Sequence, residues 1–535
     1  MTTDQHQDEV SAAERPAVSR ARARWSGVLA AAVALAVGEL VSSVGGTDQS
    51  LIASVGSSFI DQFAASLKDL AIAIFGTSDK AALLIGIVAV SLVVGAALGT
   101  AASRRPWVGV VGFAGFGLLG FVAGALDEQA SSGRSLLAAA FAAGAGIATL
   151  FVLLRVARTG HPVTTTHTIE QPTDPAHTRR AFFGWAGAAG AFAVGVAAIG
   201  RAVAGQSKAE LARDLITLPR AANAGTVGPS GTVLADETLD IDGLTPYYMS
   251  NEDFYRIDTA LLVPEVDPAT WSLKVGGMVD HPFEITYDEI LAMEQVEEAV
   301  TLSCVSNTVG GDLVGNARWQ GVPLGVLLER AGVQDGATQI LGVSVDGWTG
   351  GFPTELATDG RVAMLAVGMN GEPLPIPHGF PARLVIEGLY GYVSATKWIS
   401  EIRLTNWEDV DGYWIDKGWA KEGPVKTQSR IDVPRYGDPP GAGPTKIAGV
   451  AWAPDKGIAK VEVQIDGGDW HEARLGDVVS DATWVQWVLD WDAPSGEHEI
   501  LVRATDGDGV TQTDVRTGAA PDGATGYHSR FVVIA

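Results

Sequence analysis

Cys304 is the only cysteine in the 535-residue chain, within Thr301-Leu302-Ser303-Cys304-Val305-Ser306-Asn307. A lone cysteine excludes an internal disulfide and a multi-cysteine zinc site. Three roles remain: an inert packed thiol, a nucleophile, or a single thiolate ligand to a metal cofactor. A nucleophile needs a base, and none of the histidines at 6, 161, 167, 177, 281, 378, 471, 498 and 528 stands at a spacing that identifies a dyad. A thiolate ligand is soft and strongly donating, which suits a metal that changes oxidation state.

Further motifs follow in order. Trp319-Gln320-Gly321-Val322-Pro323-Leu324 comes after the cysteine, then His378-Gly379-Phe380-Pro381-Ala382-Arg383, then Ser394-Ala395-Thr396-Lys397-Trp398. Upstream lies Asn251-Glu252-Asp253-Phe254-Tyr255-Arg256. Each is weak alone, and singly Arg383 reads as a surface cation, His378 as a loop residue and Trp319 as a core aromatic. As an ordered set around the sole cysteine, they resemble the sulfite oxidase family of molybdopterin-dependent oxidoreductases over about residues 246–535. The resemblance implies one pyranopterin per molybdenum, with Cys304 as metal ligand. It implies cofactor contacts from Asn251, Tyr255, Arg256, Asp258, Asn307, Asp346, His378, Arg383, Ser394, Ala395, Thr396 and Lys397. Arg and Lys suit a terminal phosphate; His378 and Asn251 can meet pterin edges.

The chain departs from sulfite oxidases where substrate is decided. Thr308 and Val309 stand shortly after Cys304, where those enzymes carry arginine. Ile257-Asp258-Thr259 replaces their Arg-Asn-His segment, with Arg256 displaced by one. Arg318 and Arg430 are the expected compensating charges, so Cys304, Arg318, Trp319 and Arg430 form the expected catalytic set. The substrate class is then a small sulfur or nitrogen oxyanion or an S/N-oxide. The chain has no Cys-x-x-Cys-His, and no histidine lies in an expected membrane span, so it offers no haem site of its own. Electrons are exchanged with a separate redox partner, such as a cytochrome, a quinone or another membrane redox protein.

These residues need a scaffold. Strand-like runs (271–275, 339–345, 382–387) interleave with helical patterns (287–293, 323–331), which predicts an α+β domain over 246–436. After the Gly/Pro run Gly437–Pro444, short strands separated by turn residues predict an all-β immunoglobulin-like sandwich over 437–535. In the resembled family a sandwich so placed forms a homodimer. Asp506-Gly507-Asp508-Gly509 lacks a full calcium-loop pattern and reads as a turn. A short helix (209–218) and linker occupy 205–245.

The first 204 residues differ. The chain is 47% apolar, and its acid is concentrated late: residues 205–535 carry 23 Lys and Arg against 49 Asp and Glu, net −26. That field repels nucleic acid. Stretches 26–45, 81–101, 107–126, 136–156 and 181–203 each have about 20 residues, enough for a ~30 Å hydrocarbon core. This predicts a five-helix transmembrane region (26–204) in membrane lipid behind a cytoplasmic tail (1–25). Charges interrupt 51–75, which reads as interfacial or re-entrant. Gly115-Phe116-Gly117-Leu118-Leu119-Gly120 follows no strand, so helix packing accounts for its GxGxxG spacing. With five spans every arginine group (Arg15 to Arg24, Arg104 and Arg105, Arg155 and Arg158, Arg179 and Arg180) falls inside the cell. The catalytic domain then lies on the extracytoplasmic face of the cytoplasmic membrane. Thr178-Arg179-Arg180-Ala181-Phe182-Phe183 resembles a twin-arginine export signal; the plainer reading is two anchoring charges. Glu39, the one acid within a span, is either a proton-handling group or a residue paired within the bundle. The competing class is a non-enzymatic membrane receptor or adhesin. It accounts for residues 1–245 and 446–535 but not for the ordered motifs between them.

Overall fold

A computed structural model of the chain describes residues 18–43, 50–62, 79–127, 129–158, 183–192, 195, 208–223, 239–435 and 440–535. The chain divides into two units, Met1–Gly205 and Gln206–Ala535.

The first unit contains α1 (Arg20–Ser43), α2 (Asp79–Arg104), α3 (Pro106–Leu126) and α4 (Ser132–Arg158). All four are long and apolar enough to cross a membrane. Small residues let them touch. A Cβ on Gly27 of α1 would fall 1.9 Å from Gly95 O of α2, and one on Gly99 would fall 2.2 Å from Ala23 O. Such backbone contact is how apolar helices associate without a hydrophobic drive between them. In the GxGxxG run, Gly117 lies against Ala139 and Ala143 and Gly120 against Leu51, whereas Gly115 meets nothing. Two of its three glycines therefore serve packing. Large apolar side chains such as Ile85, Val93, Leu118 and Phe141 point outward. Of the expected interfacial segment, 51–62 is helical and 63–75 lies outside the described residues; of the fifth span, 183–192 is helical. Arg179, Arg180 and the rest of that span also lie outside.

The second unit opens with α5 (Lys208–Leu215), close to the expected 209–218 helix. Two sheets carry the site. One has the order β2 (Phe283–Thr286), β1 (Ser272–Gly277), β10 (Ile399–Thr405), β5 (Gln339–Ser344), β6 (Thr349–Pro353). In it β1 and β10 run parallel and the other pairs antiparallel. The other runs β3 (Val296–Ser303), β4 (Val314–Pro323), β7 (Ala363–Met369), β8 (Glu372–Pro373), with β9 (Arg383–Ile386) also on β7. Every residue of β7 is buried, as an unbroken apolar run in a central strand requires. Helix α6 (Tyr287–Ala292) starts on a Thr286/Glu289 capping box, and α7 (Leu324–Ala331) stops at Gly332 in the left-handed region. Short α8 (Gly391–Ser394) follows β9.

The remaining strands form two four-stranded antiparallel sheets. One is β11 (Gln428–Val433), β12 (Gly443–Trp452), β16 (Val485–Ala493), β15 (Arg474–Leu475). The other is β14 (Trp470–Glu472), β13 (Ile458–Ile465), β17 (Gly496–Asp506), β18 (His528–Ile534). Ile447, Ala451, Val461, Val463, Ile500 and Val502 make their shared core.

Strand pairing crosses the expected boundary at 437. Strand β11 precedes the Gly/Pro run yet pairs with β12, from Gln428↔Trp452 to Val433↔Ala448. The faces of β12 also serve different cores. Ile447 and Ala451 enter the C-terminal core, while Val450 and Trp452 join the main core with Val479, Ala482 and Trp484. This follows from the two-residue period of a strand. Each large buried side chain contributes ~1.5–3 kcal/mol. Losing Val450, Trp452, Val479 and Trp484 therefore removes on the order of 10 kcal/mol, comparable to the whole stability of a domain. A chain ended after Pro444 is expected to lack a cooperative melting transition. A sharp transition in that truncation would restore the boundary at 437.

Candidate active site

Cys304 directly follows β3 and is 8% exposed. Its amide donates to Leu313 O at 2.9 Å, and Ser306 N approaches its Sγ at 3.4 Å. Asn307 closes the loop: its amide donates to Cys304 O and its Oδ1 accepts from Leu313 N, both at 3.0 Å. A Cβ on Gly311 would lie 2.4 Å from that Oδ1, so the loop requires glycine there. Asn307 thus shapes the cysteine loop through its own side chain.

A cluster of cations lies on the neighbouring turn. Gly379, at φ 112°, lets the chain reverse between His378 and Arg383; a Cβ there would meet the Cβ atoms of Arg383 and Lys397 at 3.1 Å. Arg383 is buried, donates Nη1 to His378 O at 3.0 Å and lies 4.9 Å above the Trp319 ring. It meets no carboxylate among the described residues. Burial pulls its pKa down to about 10. Lys397 Nζ bonds Asp258 Oδ2 at 2.9 Å, and Arg256 Nε shares that oxygen at 2.9 Å. Two cations therefore share one carboxylate, and Arg383 lies close enough to Lys397 to lower its pKa further. Asp346 lies close enough to feel Asp258 and Lys397, and burial raises its pKa.

His378 Nε2 lies 2.9 Å from Asn251 O. A carbonyl only accepts, so Nε2 carries the proton and Nδ1 keeps its lone pair. Burial, Arg383 and Lys397 hold the pKa down at about 4, so the ring is neutral. Phe254 packs edge-on against both His378 and Trp319 at 5.6 Å. Tyr255 is half-buried near Cys304 and Arg383, and desolvation first, then the Cys304 charge, raise its pKa. Burial, then Asp522 and Cys304, push Tyr390 up to about 12. Both phenols stay protonated at neutral pH.

Several expected residues have other duties. Asn251 spends its side chain on the turn after β7, donating to Met369 O at 3.3 Å and accepting from Asn370 Nδ2 at 2.8 Å. Its carbonyl, through His378, is what reaches the cluster. Trp319 is buried beneath Arg383, with Nε1 donating to Val300 O at 3.2 Å. Its ring face is a platform for Arg383. Arg318 alternates with it on β4, 41% exposed, pairs with Glu297 at 3.5 Å and overlies Tyr248. Arg430 is held by Asp432 at 2.7 Å, Gly311 O at 2.9 Å and Thr245 Oγ1 at 2.8 Å. The expected compensating arginines are therefore both engaged elsewhere. Ser394 Oγ turns back to Tyr390 O at 3.1 Å, and Thr396 Oγ1 packs over Gly342 with no hydrogen-bond partner among the described residues. Ala395 contributes backbone only, its amide donating to Gly391 O. Tyr390 and Phe254 were not among the expected residues; an aromatic next to Gly391 was the available signal for the first.

Lys397 yields a pH prediction. Burial lowers its pKa from 10.5 to about 8. Between these values the unfolded chain binds more protons, so ligand-free stability rises with pH across that window. The melting midpoint of ligand-free full-length chain is expected to be higher at about pH 9.5 than at about 7.5, and Lys397→Met should flatten the rise. An unchanged slope in the variant would assign the effect to another group.

Residues 260–414 match the oxidoreductase molybdopterin binding domain. The chain is 35% identical over 159 residues to the uncharacterized oxidoreductase YuiH of Bacillus subtilis, covering 29% of this chain and 76% of YuiH. It is 28% identical over 307 residues to mitochondrial sulfite oxidase of Macaca fascicularis, covering 48% of this chain and 56% of that enzyme. The chain thus spans about half the length of the mitochondrial enzyme. The crystal structure of sulfane dehydrogenase SoxCD from Paracoccus pantotrophus aligns at TM-score 0.47 and 24% identity, over 54% of this chain and 81% of that one.

Proposed function

Since the chain belongs to the sulfite oxidase family of molybdopterin-dependent oxidoreductases, we propose that it moves an oxygen atom to or from a small sulfur or nitrogen compound, exchanging electrons with a separate redox partner. The observation that carries this reading is the cation cluster, with Arg383 buried, near the sole cysteine. Arg383 without a carboxylate, and Lys397 and Arg256 sharing one, fit the phosphate of a pyranopterin cofactor.

When bound, the molybdenum cofactor supplies the two-electron redox chemistry and the oxygen-atom transfer. Cys304 would hold the metal through its thiolate. Arg383 and Lys397 would hold the cofactor's phosphate, and His378, donating from Nε2 to Asn251 O, would keep Nδ1 free to accept from a pterin N–H. Tyr255 and Tyr390, kept protonated, supply hydroxyls near Cys304 without adding charge. Arg318 and Arg430 are tied to Glu297 and Asp432, away from the substrate role. That favours a neutral S- or N-oxide over an oxyanion that needs an arginine cage.

The bundle is read as a five-span anchor in membrane lipid with the catalytic domain outside. The two facing C-terminal sheets are read as an immunoglobulin-like sandwich through which the chain dimerises. Loading a buried cofactor before crossing calls for export of a folded domain, so Arg179 and Arg180 are read as a twin-arginine signal. Replacing both by lysine preserves charge and topology anchoring. The domain should then stay inside and escape external protease; equal accessibility in variant and wild type would leave only the anchor role. Metal analysis of purified protein tests the main reading. It should give about one molybdenum per chain, as one pyranopterin site requires. A screen with artificial donors and acceptors should find S- or N-oxide turnover, and metal-free protein with intact fold would overturn the assignment.

A further inference from the structure

The C-terminal sheets reach the loop that carries Cys304. Arg430 on β11 donates Nη1 to Gly311 O at 2.9 Å. It is aimed there by Asp432 and Thr245, which take its Nε and Nη2 at 2.7 and 2.8 Å. His528, the first residue of β18, packs its ring against Gly310. A Cβ on Gly310, which sits at φ 77°, would fall 2.3 Å from the His528 Cδ2. The ring is itself held by Ile431, whose amide donates to Nδ1 at 2.9 Å. Two adjacent loop residues are thus gripped by two strands that also bond to one another. The grip passes to the thiol through a short path. Gly311 N donates to Thr308 O, Asn307 Oδ1 accepts from Leu313 N, and Leu313 O accepts from Cys304 N.

We infer that Arg430 and His528 are positioning residues for Cys304, so the C-terminal sheets form part of the frame of the active site. Both act by denying the 305–313 loop an alternative conformation. The grip is neutral at the ring, since burial and the nearby arginines Arg530 and Arg430 hold the His528 pKa at about 4.

The sole cysteine makes this measurable without turnover. Two full-length variants are compared with wild type. His528→Asn keeps an acceptor for Ile431 N–H but removes the ring over Gly310. Arg430→Gln with Asp432→Asn removes the bond to Gly311 O without leaving a buried charge unpaired. In cofactor-free protein, maleimide labelling of Cys304 should be about tenfold faster in each, the factor given by ~1.4 kcal/mol of lost loop stability. Melting midpoints should move by less than about 5 °C. In holoprotein, the electron paramagnetic resonance spectrum of the half-reduced metal should shift, because it senses the thiolate's orientation. That arm alone rests on the proposed function; a metal-free protein would sink the function while the labelling result still decided the inference. Labelling at the wild-type rate in His528→Asn overturns it, whether or not the double variant folds.

Discussion

Cys304→Ser is expected to leave a folded, pterin-containing protein that does not turn over. Serine is nearly isosteric, and the loop bonds around position 304 are made by backbone groups and Asn307. The fold should therefore lose less than ~1.5 kcal/mol. A hydroxyl is a harder and weaker ligand than a thiolate. Changes to groups that merely orient a ligand typically cost ~10–100-fold in activity. Removal of the ligand itself should exceed that range. The measurements are kcat, molybdenum and pterin per chain, and melting temperature. Wild-type kcat in the serine variant would remove Cys304 from the chemistry and return it to the inert packed thiol.

The parts of the site that were legible in the sequence are those whose residue type and order carry the chemistry. Cys304 stands alone, and His378, Gly379 and Arg383 lie on one turn, so the cluster forms almost within a single segment. Strands β12, β13, β16 and β17 announce themselves as short strand-like runs between turn residues. What escaped depends on distant partners. The Gly/Pro run at 437–444 looks like a domain border, but β11 before it completes the sheet after it, through pairing that only the fold reveals. Arg318 and Arg430 have the charge an oxyanion site needs, yet Glu297 and Asp432 claim them. Asn251 has the right chemistry for a pterin edge, yet Asn370, in the left-handed region at φ 52°, takes its side chain. Residue type states what a group can bond; competition among partners decides what it does bond.

Arg383→Met separates a binding role from a structural one. An uncompensated buried cation is costly, and replacing buried charge by a well-packed apolar group is often neutral or stabilising. Arg383 fits that description: it is buried with no carboxylate, and its pKa has fallen to about 10 because the site disfavours its charge. Against the relief stand a bond to His378 O and contact with the Trp319 face. These contribute ~1 kcal/mol and ~1–2 kcal/mol. The opposing terms are similar in size, so cofactor-free Arg383→Met should melt within about 5 °C of wild type. Cofactor content behaves differently. In the proposed site the phosphate receives charge-assisted bonds from Arg383, and truncating one partner of such a buried pair costs ~2–5 kcal/mol, or about 30-fold to several thousandfold in affinity. Molybdenum and pterin per chain should fall together to a small fraction of the wild-type content. Lys397→Met should show the same pattern more mildly, because Arg256 still neutralises Asp258. A variant that keeps its full cofactor content but melts more than about 5 °C below wild type would mean that Arg383 serves the turn between His378 and β9 rather than the ligand.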